Sequence, residues 1–131
     1  YMITSGCTAS TQYGYAEMLR AATDGELDFA ADVREYARRA ERMKKIFTDN
    51  GFHIVYDYDV TRPVGDGFFF PVGYGRMSGG ELLYYGVSSI SLETTGSGQP
   101  GVRACTSRMR EELYPLMEER MKAFRLDHPL S

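Results

Sequence analysis

Tryptophan is absent from the 131 residues, and cysteine and histidine occur only twice each. Cys7 and Cys105 stand far apart, in neither a CxxC pair nor a set with metal-ligand spacing. Two separate thiols in a cytoplasmic chain are the expectation, rather than a disulfide or a metal site. His53 falls in an apolar stretch and His128 near the end, so each reads as core or surface and not as a catalytic base. Long apolar runs are also missing. A run such as Phe68-Phe69-Phe70-Pro71-Val72 is far shorter than the roughly 20 residues of a membrane helix. The opening residues Tyr1-Met2-Ile3-Thr4-Ser5 contain no basic region followed by an apolar stretch, so no secretory signal is read. Positive charge is not in excess either: the net charge is −3, with Lys and Arg spread among acids. Neither nucleic acid nor a membrane is therefore an expected partner.

What is present suits one soluble core. Seven Phe and ten Tyr supply large apolar side chains, and the length fits one domain better than two. Thr8 to Ala22 reads as a short Ala-rich helix that Asp24-Gly25 stops. A longer helix follows, with Asp28 as its cap. Its apolar positions Val33, Ala37, Ala40, Met43, Ile46 and Phe47 recur at helical spacing, and Asn50-Gly51 ends it.

The period then changes. Strands are expected near 52–58, 67–74, 87–95 and 102–107, from their β-branched and aromatic content. Pro71 places part of the second on an edge or bulge. Ser78 is the expected cap of a short helix that Gly86 stops. A final helix over about 108–124 has Met109, Leu113, Leu116, Met117, Met121 and Phe124 on one face; it either kinks at Pro115 or begins near Tyr114. The whole reads as an α+β, two-layer domain. About four strands form a mixed or antiparallel sheet, and the two long helices cover one face. The other face is expected to meet something.

Gly96-x-Gly98-x-x-Gly101 matches a dinucleotide fingerprint, which works only where the glycines lead into a helix. Here they lead into Val102-Arg103-Ala104-Cys105-Thr106, which reads as a strand, so a plain turn is expected. No serine sits in a nucleophile elbow, and no acidic pair has a spacing that argues for acid/base work. Arg103 is the feature that remains. Flanked in sequence by small and apolar residues, it calls for an anionic partner. An acidic side chain would make it structural; a ligand carboxylate would suit its planar fork in a bidentate pair.

The run Tyr85-Gly86-Val87, through Gly96-Ser97, to Gly101-Val102-Arg103-Ala104-Cys105-Thr106-Ser107 resembles the closing segment of fold-type-I pyridoxal-phosphate-dependent aminotransferases. Ala9-Ser10-Thr11-Gln12-Tyr13, Glu35 to Met43 and Gly65-Asp66-Gly67-Phe68-Phe69 resemble further segments of that family. Two departures are visible: the region before Gly86 is short, and Ala104-Cys105-Thr106-Ser107 replaces the family's more common Ile-Ser-Phe type of continuation. The resemblance implies a C-terminal small domain over 26–131, with 1–25 a remnant of an interdomain, dimer-interface helix of a larger upstream domain. It implies transfer of an amino group between an amino acid and a 2-oxo acid by a homodimeric parent. Arg103 would grip the substrate α-carboxylate and the domain would act as a closing lid. Pyridoxal phosphate and its Schiff-base Lys would belong to the large domain. Lys44, Lys45 and Lys122 lie on polar helix faces, so no cofactor, metal or catalytic residue is assigned to this chain, which should be inactive alone. The reading from another class is a free-standing, non-enzymatic α+β binding module with Arg103 in an internal ion pair.

Overall fold

Two compact units divide the chain, Tyr1–Arg34 and Glu35–Ser131. A computed structural model describes residues 6, 8–65 and 67–130; Cys7 and Asp66 lie outside the described residues. In the first unit, helix α1 (Ala9–Thr23) carries no buried residue, and Tyr13, Tyr15 and Leu19 are exposed. It stops where expected. Asp24 is the C-cap, and Gly25 takes φ +79°, a left-handed conformation that costs glycine nothing. Asp28 caps the next helix as expected. Its Oδ1 accepts the Ala31 N–H at 3.0 Å and its Oδ2 accepts Arg34 Nη2 at 2.9 Å. These bonds, the Ala31 amide foremost, hold the Asp28 carboxyl below its ordinary value.

Helix α2 (Phe29–Asp49) gives the second unit Ala40, Met43, Ile46 and Phe47, all buried. The Phe52 N–H reaches the Phe47 carbonyl at 3.1 Å across Gly51, whose φ is +87°. Buried Asn50 donates to the Ile46 carbonyl at 2.8 Å.

The sheet comprises β1 (His53–Ile54), β4 (Phe69–Gly73), β5 (Ile90–Ser91) and β6 (Val102–Cys105), in the order β1-β4-β6-β5 and antiparallel throughout. A small hairpin, β2 (Tyr58–Asp59) with β3 (Arg62–Pro63), stands apart from it. Phe70, Val72, Val102 and Ala104 point to one face and are buried with Met43, Phe47, Met121 and Phe124 of the long helices. Edge-to-face rings tie this core together: Phe47 meets Phe52 at 5.1 Å and Phe70 at 6.1 Å. The expected α+β layering, with both long helices on one sheet face, is what is seen.

Two strands are shorter than their composition suggests. The stretch 52–58 pairs only through His53–Ile54, with Val55 N–H still donating to the Pro71 carbonyl at 3.1 Å. Pro71 has no N–H to return on that side, so the ladder ends and the chain leaves for the hairpin. The stretch 87–95 is strand only at Ile90–Ser91 and continues as a 3₁₀ turn over Glu93–Thr95. Hydroxyls compete with the ladder there: Ser91 Oγ accepts the Glu93 N–H at 3.3 Å, and Thr95 Oγ1 donates to the Leu92 carbonyl at 2.7 Å.

The last helix begins late. Residues 108–110 are not helical; a 3₁₀ turn over Glu111–Leu113 leads into α4 (Tyr114–Asp127), with Pro115 in its first turn, where no N–H is needed. The short helix α3 (Gly80–Leu83) lacks the expected Ser78 side-chain cap. Glu81 does the capping instead. Its Oε2 accepts the Gly79 N–H at 3.0 Å and the Ser78 hydroxyl at 3.2 Å, while Oε1 accepts the Ser78 N–H at 3.5 Å.

Candidate anion-binding face of the sheet

Side chains alternate along a strand, and the register fixes which of them share the face that the long helices leave open. Val102 and Ala104 are buried in the core, so Arg103 and Cys105 point the other way. Pro71 of β4 and Ile90 of β5 stand opposite Arg103 on either side, and Phe69 stands opposite Cys105. His53, paired with Gly73, lies on the same face at the β1 edge. The structure therefore groups Arg103 with Phe69, Pro71 and Ile90. Ala104 and Thr106, its neighbours in sequence, face the opposite side.

The Arg103 guanidinium rests over the Phe69 ring, with Cζ 4.2 Å from the ring centroid. A cation over an aromatic face gains from the ring quadrupole while its edge N–H groups stay available. Among the described residues Arg103 forms no hydrogen bond and no ion pair, and it is partly exposed. The Arg62, Arg76 and Arg108 side chains of the second unit likewise have no ion pair among the described residues, whereas other arginines are engaged. Arg39 is paired with Glu35, Arg42 with Glu111, and Arg125 with the Asp49 carbonyl. A guanidinium on apolar supports, with no anion among the described residues, offers N–H donors to a carboxylate, phosphate or sulfate oxygen pair.

Cys105 neighbours this site. Burial pushes its thiol up, but the Ser107 hydroxyl 3.2 Å away and the Arg108 and Ser107 backbone N–H groups outweigh that, leaving it below its ordinary value. Two cavities lie elsewhere. One of about 280 Å³ is lined by Ser88, Ser89, Cys105 and Arg108 together with core side chains. The other, about 630 Å³ and wide open, lies beside Glu81, Tyr85 and Asp127. Arg103 lines neither of them, and in the second Asp127 is already bonded to the Tyr85 hydroxyl.

The lysines Lys44, Lys45 and Lys122 lie on the two long helices. Lys44 lies 3.7 Å from Asp57 and over the Phe70 ring, Lys45 bonds Asp49 at 2.8 Å, and Lys122 is exposed on α4. His53 is exposed and His128 stacks on Phe124 with ring centroids 4.6 Å apart. Among the described residues no group of three His, Cys, Asp or Glu is placed to hold a metal ion. No helix among them is long and apolar enough to cross a membrane. Gly96 to Gly101 lead into β6 and not into a helix, so the dinucleotide fingerprint has no structural counterpart. No protein-family model matches the chain, and no curated protein matches it.

Phe69 and Ile90 are the site residues that sequence reasoning missed. Phe68-Phe69-Phe70 gave no sign of which ring points outward, because that depends on the pairing with β6.

Proposed function

We propose that this chain is the C-terminal small domain of a fold-type-I pyridoxal-phosphate-dependent aminotransferase, and that Arg103 holds the substrate α-carboxylate. The observation that carries the reading is Arg103 itself: a guanidinium without an anionic partner among the described residues, on the sheet face that the long helices leave open. The sequence pattern around it supports the reading, as does the long helix α4 that follows its strand. In this reading a larger domain upstream completes the site, supplies the cofactor and its Schiff-base Lys, and pairs with a second copy. Amino-group transfer between an amino acid and a 2-oxo acid is then the reaction, and this chain contributes substrate grip and closure.

The test has two stages. The coding sequence upstream is read for a domain with a Lys in a Ser/Thr-rich strand-loop setting, and the longer protein is assayed for transamination. Arg103→Ala then removes a bidentate, charge-assisted contact, in which each hydrogen bond is worth about 1.5–3 kcal/mol. The expected loss in kcat/KM is roughly a hundredfold to ten-thousandfold, with cofactor absorbance unchanged. Arg103→Lys recovers little of it, because a point charge does not reproduce the fork. Full turnover of every accepted amino acid by Arg103→Ala refutes the carboxylate role. The 131-residue chain alone, mixed with pyridoxal phosphate, gives no borohydride-trappable adduct at a single Lys.

A further inference from the structure

The surroundings of Arg103 go further than a carboxylate: they select what the rest of the ligand is. Pro71, Arg103 and Ile90 stand in one row across three strands, with directly opposite Cβ atoms about 5 Å apart. Phe69 is one pleat along β4 and supports the guanidinium. Phe69 and Ile90 are 41% and 45% exposed, so apolar surface that a ligand could cover borders the charge. Among the described residues the strand positions of this face carry no second Lys or Arg; His53 stands at the far β1 edge, and Arg108, close enough to act on the Cys105 thiol, lies beyond the end of β6. A ligand bearing two carboxylates would pair one with Arg103 and press the other against Phe69 or Ile90, where it loses water and gains no partner.

We infer that Arg103, Phe69 and Ile90 together form a half-site for a monocarboxylate with an apolar or aromatic tail. In the terms of the function proposed above, on which this rests, the substrate is an amino acid or 2-oxo acid with an apolar side chain and not an acidic one. The carboxylate takes the edge of the guanidinium fork. The tail lies over the Phe69 edge and the Ile90 side chain, burying surface that is exposed in the unliganded chain.

Binding to the isotopically labelled 131-residue chain tests this without requiring turnover. Acetate, succinate, 4-methylpentanoate and 3-phenylpropionate are titrated while the Arg103 side-chain Nε–H and the Phe69 and Ile90 amide signals are followed. The expected result is a shift at Arg103 with all four acids, and binding of 3-phenylpropionate roughly tenfold tighter than acetate from the apolar surface covered. Succinate gains nothing over acetate beyond the factor of two for its two equivalent carboxylates. Ile90→Ser, on an edge strand at an exposed position, reduces the gain for the apolar acids and leaves acetate unchanged. Arg103→Ala abolishes the response to all four. Succinate binding as tightly as 3-phenylpropionate, or no response at Arg103 to any acid, overturns the inference. Transamination by the longer protein is scored separately. Preference for apolar acids without transamination sinks the enzyme reading and keeps the ligand class. Transamination that favours acidic donors sinks the ligand class alone.

Discussion

Replacing the three glycines of Gly96-x-Gly98-x-x-Gly101 by alanine, one at a time, should give three different costs, because the turn uses each glycine differently. Gly101 adopts φ +141°, and a Cβ built there falls 2.5 Å from the Val72 carbonyl oxygen and 3.1 Å from Leu92 Cδ1. The obstacle at 2.5 Å is backbone of the neighbouring strand β4, which cannot swing aside as a side chain tip does. A disfavoured backbone conformation costs about 1–3 kcal/mol, and forcing apart packed backbone adds about 1–3 kcal/mol. Gly101→Ala is therefore expected to destabilise by about 2–6 kcal/mol. Gly96 has φ +87° as the C-cap of the 3₁₀ turn, with nothing within 4 Å of a Cβ. Its alanine variant bears the left-handed cost alone, about 1–2 kcal/mol. Gly98 has neither a left-handed φ nor a neighbour within 4 Å, so Gly98→Ala should be neutral or stabilise by about 0.4–1 kcal/mol through the unfolded chain. Urea unfolding followed by circular dichroism measures all three, with an unchanged m-value as the check that midpoints report stability. Equal costs at the three positions, or a Gly101→Ala cost below that of Gly96→Ala, would refute this account of how β6 is held against β4. The consequence reaches the site, since Gly101 seats the strand that carries Arg103 two residues later.

Two further outcomes follow from local geometry. Val60, at the tip of the β2–β3 hairpin, is 94% exposed and holds φ +55°, a conformation that a β-branched residue adopts at a cost. Val60→Asn, which visits that region readily, should raise stability by about 0.5–1 kcal/mol; a lower thermal midpoint would show that the turn is not strained. Glu81 has its carboxyl held below the ordinary value, first by its own backbone N–H, against the opposing effect of burial, and then by Ser78 and Gly79. A depressed value means that the stabilisation is complete above the unfolded-state value near pH ~4.3 and fades as pH falls through the folded one. Glu81→Gln should thus be less stable than the parent at neutral pH, with the gap closing in the acidic range. A gap that stays constant down to about pH 3 would show that the charge is not what caps α3.

The sequence by itself determined the elements whose signals are local. Asp28 and Asn50-Gly51 bracket α2 because a cap and a left-handed stop act within one turn of the chain; of the face marked by Val33, Ala37, Ala40, Met43, Ile46 and Phe47 the last four are buried, while Val33 and Ala37 stay exposed. Pro115 was legible as a helix start or kink, and the first-turn role won because the 3₁₀ turn before it already closes the chain. Arg103 was legible as a charge needing a partner, and the glycines before it as a turn. Tertiary structure alone decided the rest. Strand lengths changed where a partner lacked a donor, as at Pro71, or where hydroxyls captured the backbone, as at Ser91 and Thr95. Of the small and apolar neighbours of Arg103 in sequence, the pleated strand sends Val102, Ala104 and Thr106 to the opposite face and leaves only Cys105 on the face of Arg103. Its true surroundings come from β4 and β5, residues that are far away along the chain and are brought alongside only by register. A one-residue slip would have put Phe70 in place of Phe69 beneath the guanidinium, and no local preference in Phe68-Phe69-Phe70 distinguishes the two.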